Sequence, residues 1–412
     1  MLLLQISLSK RVKIKIIAAE QDNIENLSFR KSVRCSPNAI HPMLKRGEHS
    51  CVWPALVNYF NLLCILVHMR KILIFIALVL LMGFASAQSS TIINISDTSL
   101  EQKIAQMIVV AGNSYCEEYT KMGIGGIFIN EGKTAEEVKK HVERYQNSSG
   151  IKLLVAADME GYWNPFVSFF PSKNFGEIKN AEEARELGES HGLIMRELGL
   201  NIDFSPVVEA RNTVWPGRSF TGTPEEVNAK INSYITALQN KGVLATAKHY
   251  PGGSMLRDPH VWKTHQTITS EDISYFETAI NAKVAAIMIG HPVVQGALDS
   301  KRKQASVSPE VIAHLRKNFN GIIITDSINM MGLRWSYLFS KKKIYVDSVK
   351  AGNDIILDSV ERGCSPSSIK RNIAALKKEV EKGKIPESQI DKSVERILNA
   401  KGYGVVGGLH SF

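Results

Sequence analysis

The sequence predicts an α/β protein folded as one (β/α)8 TIM-type barrel over residues 97–403. Three observations predict it. Eight short apolar runs recur through those residues, and stretches with helix-start signals and amphipathic spacing separate most of them. Strands buried on both faces read as continuous apolar runs, as a parallel sheet requires. No G-x-G-x-x-G follows the first run, which removes the usual dinucleotide-binding form of the rival doubly wound sheet.

The runs are Gln106–Ala111, Gly125–Ile129, Leu153–Asp158, Ile202–Val207, Val243–His249, Ala285–Ile289, Gly321–Asp326 and Asp354–Leu357. Thr134 opens a helix with Glu137 at capping-box spacing. Thr223-Pro224-Glu225-Glu226 opens another, with Pro in the first turn and acids at the positive end of the dipole. Ser308-Pro309-Glu310 opens a third. Gly242 and Gly321 follow helical runs and read as stops. After Asp358 come one long helix and a closing helix, with residues 404–412 as a tail and no second α/β domain.

The chain is 44% hydrophobic and 22% charged, which excludes a disordered polymer. Its net charge of +10 is concentrated at one end. Residues 1–87 hold 11 Lys and Arg against 4 Asp and Glu, leaving 39 against 36 for the rest. The folded body is therefore nearly neutral, and no nucleic-acid partner is expected. Met69 begins a second possible start. Arg70 and Lys71 form a positive segment, Ile72–Phe84 an apolar run of 13 residues, and Ala85-Ser86-Ala87 a cleavage site. That is the order of a signal peptide at 69–87. The run is shorter than the roughly 20 residues of a membrane-spanning helix, so no stable membrane insertion is expected after cleavage. Residues 1–68 then read as a disordered upstream extension from an overlong gene start. The alternative is an anchored chain that also uses Val52–Val67. Cys35, Cys51 and Cys64 fall upstream. Cys116 and Cys364 remain; they lack metal-ligand spacing and read as two small apolar residues, with pairing left open.

In such a barrel the active site lies at the C-terminal ends of the strands. The third run ends in Asp158-Met159-Glu160, and the loop after the fourth carries Trp215-Pro216-Gly217-Arg218. The fifth ends in Lys248-His249, the sixth in Gly290-His291, and the seventh in Thr325-Asp326-Ser327. Buried Lys, His or Asp is costly unless paired or used. Five successive strands thus bring ionisable groups to one rim.

These residues carry a resemblance. K-H-Y-P-G-G at 248–253, D-P-H at 258–260, G-R-S-F at 217–220, T-D-S-I-N-M at 325–330 and A-G-N-D-I-I-L at 351–357 resemble glycoside hydrolase family 3, in its single-domain β-N-acetylhexosaminidase branch. The likeness runs from Ser99 to Lys401 and includes the closing helix. It implies that Asp326 is the nucleophile, that His260 is the general acid/base, and that Asp258 orients His260. Asp158, Arg218, Lys248 and His249 match residues that hold sugar hydroxyls. His291 is divided between substrate contact and a satisfied barrel-end histidine. The resemblance implies a retaining enzyme with no metal and no organic cofactor.

The chemistry fits these residue types. Retaining hydrolysis needs a carboxylate below the anomeric carbon and a proton donor at the leaving oxygen. A histidine can be that donor because its pKa lies near working pH, and a neighbouring carboxylate can orient it. The expected function is an exported β-N-acetylglucosaminidase acting on a GlcNAc-containing oligosaccharide, chitin-like or derived from peptidoglycan. Phosphorolysis is a subsidiary possibility. The alternatives are a β-glucosidase or β-xylosidase of the same family, or an inactive sugar- or wall-binding protein. Three departures from the branch pattern touch specificity. Gly253 stands in a usual His position, Pro259 in a usual Ser position, and Tyr162-Trp163 replace the usual residues after Asp158. Tyr162 and Trp163 either stack on a neighbouring sugar or pack under the loop.

Overall fold

The computed structural model describes residues 2–9, 12–18, 69–70, 91–209, 211–212, 214–255, 257–359 and 364–408. The chain divides into two units, Met1–Gln88 and Ser89–Phe412. In the first, Leu2–Ser9 pairs antiparallel with Val12–Ala18, where the sequence reading placed a disordered extension. Alternating apolar and polar residues suit such a ribbon. The rest of that extension, and the signal peptide beyond residues 69–70, lie outside the described residues.

The second unit is the barrel. Its strands are β1 (Ile108–Ala111), β2 (Gly126–Phe128), β3 (Leu154–Ala157), β4 (Ile202–Asp203), β5 (Leu244–Tyr250), β6 (Ala286–Ile289), β7 (Ile322–Thr325) and β8 (Ile356–Asp358). They pair in parallel in chain order, from β1 to β7, and β8 pairs back onto β1. A parallel bridge from Ile324 to Ile355 closes the ring. All eight predicted runs are strands. The helix α1 (Leu100–Gln106) precedes β1; between the strands lie α2 (Glu117–Met122), α3 (Ala135–Asn147), α4 (Ala181–Leu198), α5 (Pro224–Asn240), α6 (Ser270–Asn281), α7 (Pro309–Arg316) and α8 (Lys341–Ala351), and after β8 come α9 (Pro366–Glu381) and α10 (Glu387–Ala400). Among the described residues no helix is long and apolar enough to cross a membrane.

The expected caps hold. Thr134 accepts from the Glu137 N–H, Ser308 from that of Val311, and Thr223 forms a reciprocal capping box with Glu226. Gly242 has φ +81° and ends α5 as expected. Gly321 is different: it is not left-handed, and a Cβ there would lie 2.6 Å from the Ala285 carbonyl oxygen. It permits close approach of two chain segments instead of stopping a helix.

Three further features depart from the sequence reading. Gly404–Val406, in the expected tail, pairs in parallel with Ile92–Asn94. Cys116 and Cys364 form a disulfide, with Cα atoms 5.6 Å apart, and are not two free apolar residues. Barrel closure explains the pairing: β8 lies beside β1, so the segments after each strand meet. Finally, β5 carries a bulge against β6, where Met288 pairs with Lys248 and Ile289 with Tyr250. His249 is the unpaired extra residue. Successive strand residues normally point to opposite faces, and a bulge re-aims one of them. Lys248 and His249 therefore both reach the same cavity.

Candidate active site

A cavity of about 700 Å³ opens at the C-terminal ends of the strands. Its walls include Asp158, Arg218, Lys248, His249, His260 and Asp326, so six of the eight residues expected from sequence meet there.

The barrel side of the cavity is an ion-pair lattice. The Lys248 ammonium, fully buried at the end of β5, lies 2.6 Å from Asp158 Oδ1 and against Glu160 Oε1. Arg218 forks onto Glu160, Nε donating to Oε2 and Nη2 to Oε1 at 3.1 Å. Such bidentate pairs fix geometry as well as charge. Burial works to raise the Glu160 pKa, but Arg218 and Lys248 outweigh it and hold the carboxyl down at about 2. Burial lifts Asp158 above its ordinary value, against the pull of Lys248.

Asp326 follows β7 directly. Its Oδ1 accepts the Ser327 N–H at 2.6 Å, and its Oδ2 lies 3.8 Å from His249 Nε2. Burial would raise its pKa. The histidines His249, His291 and His260 overcome that, and the carboxyl sits below the usual range. It is therefore anionic at neutral pH, as a nucleophile must be. His249 is held from behind by Glu209, whose Oε1 is 2.7 Å from Nδ1.

His291 does not line the cavity. Its Nδ1 is 2.7 Å from Ser306 Oγ and its Nε2 is 2.9 Å from the Ser327 carbonyl oxygen. Burial pushes its imidazole down. With both nitrogens occupied, it braces the segment that carries Asp326, which is the satisfied-histidine arrangement of the two expected for it.

Asp258 and His260 sit on a loop at the cavity mouth. Asp258 Oδ1 accepts the His260 N–H at 2.8 Å and lies 2.8 Å from His260 Nδ1. One carboxylate oxygen thus holds both backbone and ring, leaving Nε2 for the ligand. The His260 side chain is 58% exposed. The loop is docked on the short turn Met331–Arg334: the Met331 N–H donates to the His260 carbonyl at 3.0 Å. Gly332 allows that contact, since a Cβ there would lie 2.3 Å from the Trp262 carbonyl oxygen.

Sequence reasoning gave no role to Glu160, although it marked the residue at the rim, and missed Glu209 altogether. Glu160 could have been found as the counter-charge that a buried Lys248 requires. Glu209 lies in a loop with no periodicity and carries no such signal. Gly253 adopts φ +100°, a region that favours glycine, so the loop is built around its departure from the family pattern. The Tyr162 side chain lies outside the described residues. Among the described residues, Cys116, Glu118 and Cys364 form a cluster with metal-ligand spacing, but its two sulfurs are joined to each other.

A cavity at the strand ends lined by a carboxylate held ionised, a carboxylate-braced histidine and a lattice of paired charges is the arrangement of a barrel glycosidase. The chain belongs to glycosyl hydrolase family 3: the N-terminal domain model of that family matches residues 99–400. It is a glycoside hydrolase. The chain is 26% identical over 337 residues to a protein from Mycobacterium tuberculosis named Beta-hexosaminidase LpqI, covering 74% of this chain and 83% of that one. It is 26% identical over 331 residues to a Cellulomonas fimi protein named Beta-N-acetylglucosaminidase/beta-glucosidase, covering 74% of this chain and 57% of that one. A solved family 3 β-N-acetylglucosaminidase from a Paenibacillus strain superposes with a TM-score of 0.68 at 27% identity. The alignment spans 74% of this chain and 62% of that one.

Proposed function

We propose that the protein is an exported, retaining β-N-acetylglucosaminidase. It removes non-reducing-end GlcNAc from chitin-like or peptidoglycan-derived saccharides. One observation carries the reading: His260, braced by Asp258, lines the same cavity as the anionic Asp326. The Asp326 carboxylate attacks the anomeric carbon as the C–O bond to the leaving sugar breaks. His260 gives its proton to the leaving oxygen, and a covalent glycosyl-enzyme forms. His260, now neutral, takes a proton from water, whose oxygen displaces Asp326 with overall retention. Asp158, Lys248, Arg218 and His249 hold the hydroxyls of the bound sugar.

Export is supported by the signal-peptide order at 69–87 and by the Cys116–Cys364 disulfide, since such bonds persist in oxidising compartments. A second reading, β-glucoside hydrolysis, is favoured by the double name of the Cellulomonas fimi relative. Chromogenic β-GlcNAc and β-glucoside substrates, each with and without phosphate, separate the readings. GlcNAc release that does not depend on phosphate is expected. Turnover of the glucoside alone would replace the proposal with the second reading, and a strict phosphate requirement would replace hydrolysis with phosphorolysis. Turnover of neither by the folded protein would leave a sugar-binding role.

A further inference from the structure

We propose that Trp215 and Trp163 form a platform on the leaving-group side of the cavity for a saccharide chain longer than two sugars. The inference rests on the glycosidase reading, because His260 marks where the leaving sugar lies. Trp215 lines the cavity, with its ring edge-on to His260 at 5.5 Å between centroids. Trp163, beyond the cavity-lining residues, lies next to it, 6.1 Å from Trp215 and nearly perpendicular to it. A proton donor must sit at the glycosidic oxygen. The sugar that leaves is therefore beside Trp215, and the next ring of the chain is beside Trp163.

Both rings are mounted rigidly, as a binding surface requires. Trp163 follows Gly161, which has φ +70° and would place a Cβ 2.6 Å from Asn174 Cα. Trp215 precedes Gly217, whose Cα lies 2.6 Å from the position of a Cβ on Gly176. The Gly176 N–H donates to the Gly217 carbonyl at 2.9 Å. Two separate loops thus dock on one segment, Asn174–Gly176, through glycines that let the backbones touch. The Arg218 guanidinium carbon lies 5.0 Å from the Trp215 ring centre, and its fork on Glu160 ties the platform to the inner site. In spite of this anchoring Trp163 remains 47% exposed. A tryptophan recruited for packing would be covered; an exposed one beside a cavity-lining ring offers an apolar face to a longer ligand. The CH-lined face of a pyranose fits such a ring while its hydroxyls stay in water.

The test compares an aryl β-GlcNAc glycoside with β-1,4-linked GlcNAc disaccharide and tetrasaccharide. In the wild type, kcat/KM should rise from disaccharide to tetrasaccharide. In Trp163→Ala the ratio of tetrasaccharide to aryl-glycoside kcat/KM should fall roughly three- to tenfold, and Trp163→Phe should restore most of it. Equal kcat/KM for both chain lengths, or an equal loss on all three substrates, would overturn the platform. Calorimetric binding of the same two oligosaccharides to Asp326→Ala reads the platform without turnover. Tighter tetrasaccharide binding that Trp163→Ala abolishes supports it even where the GlcNAc activity itself fails. Equal affinities for the two lengths overturn it.

Discussion

The cavity has two unlike walls. On the barrel side Lys248 and Glu160 are buried and Arg218 is partly buried; all three are paired and carried by strand ends or by loops locked to them. At the mouth Asp258 and His260 sit on a loop in contact with solvent, held by a shared carboxylate oxygen and by backbone contacts to Met331–Arg334. In the proposed mechanism the first wall holds the bound sugar, a task that preorganised charge suits. The second, in the same proposal, gives and takes a proton. An exposed imidazole is open to the water that it deprotonates in the second step. Binding and proton transfer are thus divided between a rigid wall and an accessible one.

The sharpest test of this division is removal of the nucleophile. Asp326→Ala should lower kcat on an aryl β-GlcNAc by roughly four orders of magnitude or more while binding of GlcNAc persists. A mutant that keeps a tenth of the activity would break the assignment. His260→Ala comes next, with an expected loss of roughly 10²- to 10³-fold, smaller for leaving groups of low pKa that need little protonation. Because the side chain is exposed, its thermal midpoint should barely move, corresponding to about 0.5 kcal/mol or less. A large stability loss would mean that the mouth is as structural as the barrel wall.

Glu160→Gln probes the opposite wall. It leaves buried Lys248 and partly buried Arg218 with one counter-charge fewer and should destabilise the fold by about 3 kcal/mol. The pH dependence has a definite sign. The Glu160 pKa is depressed in the folded protein to about 2, from a reference of 4.5. Its stabilisation is therefore complete above the reference value and is lost as pH falls towards 2. Denaturant unfolding between those limits should show a steeper loss in the wild type than in Glu160→Gln. The smallest effect is a shift in a pH profile. The His249 ring contributes to keeping Asp326 ionised. The acid limb of kcat/KM should lie below the ordinary Asp range, and His249→Ala should move it upward. An unmoved limb would remove His249 from the electrostatics of the nucleophile.

The barrel was legible because its strands are buried on both faces, so each leaves an unbroken apolar run and none requires knowledge of its partner. Asp158, Lys248 and Asp326 were legible for the same reason: each lies at or just past the end of a run, and the fold fixes which end is functional. Contacts that depend on closure were not. Cys116 and Cys364 are 248 positions apart and meet only because β8 returns to β1. His291 stands at a strand end like the others, but its ring turns to Ser306 and the Ser327 carbonyl, a choice of rotamer that strand position does not determine. Glu209 is recognisable only once His249 is seen to need a partner.

Everything proposed for the cavity turns on a covalent step at Asp326. A slow 5-fluoro GlcNAc donor, incubated with the enzyme and followed by peptide mapping, tests it most directly. The expected result is a single glycosyl adduct on Asp326, absent from Asp326→Ala and released when an acceptor is added. Full turnover with no adduct at Asp326, or an adduct on another carboxylate, would contradict it.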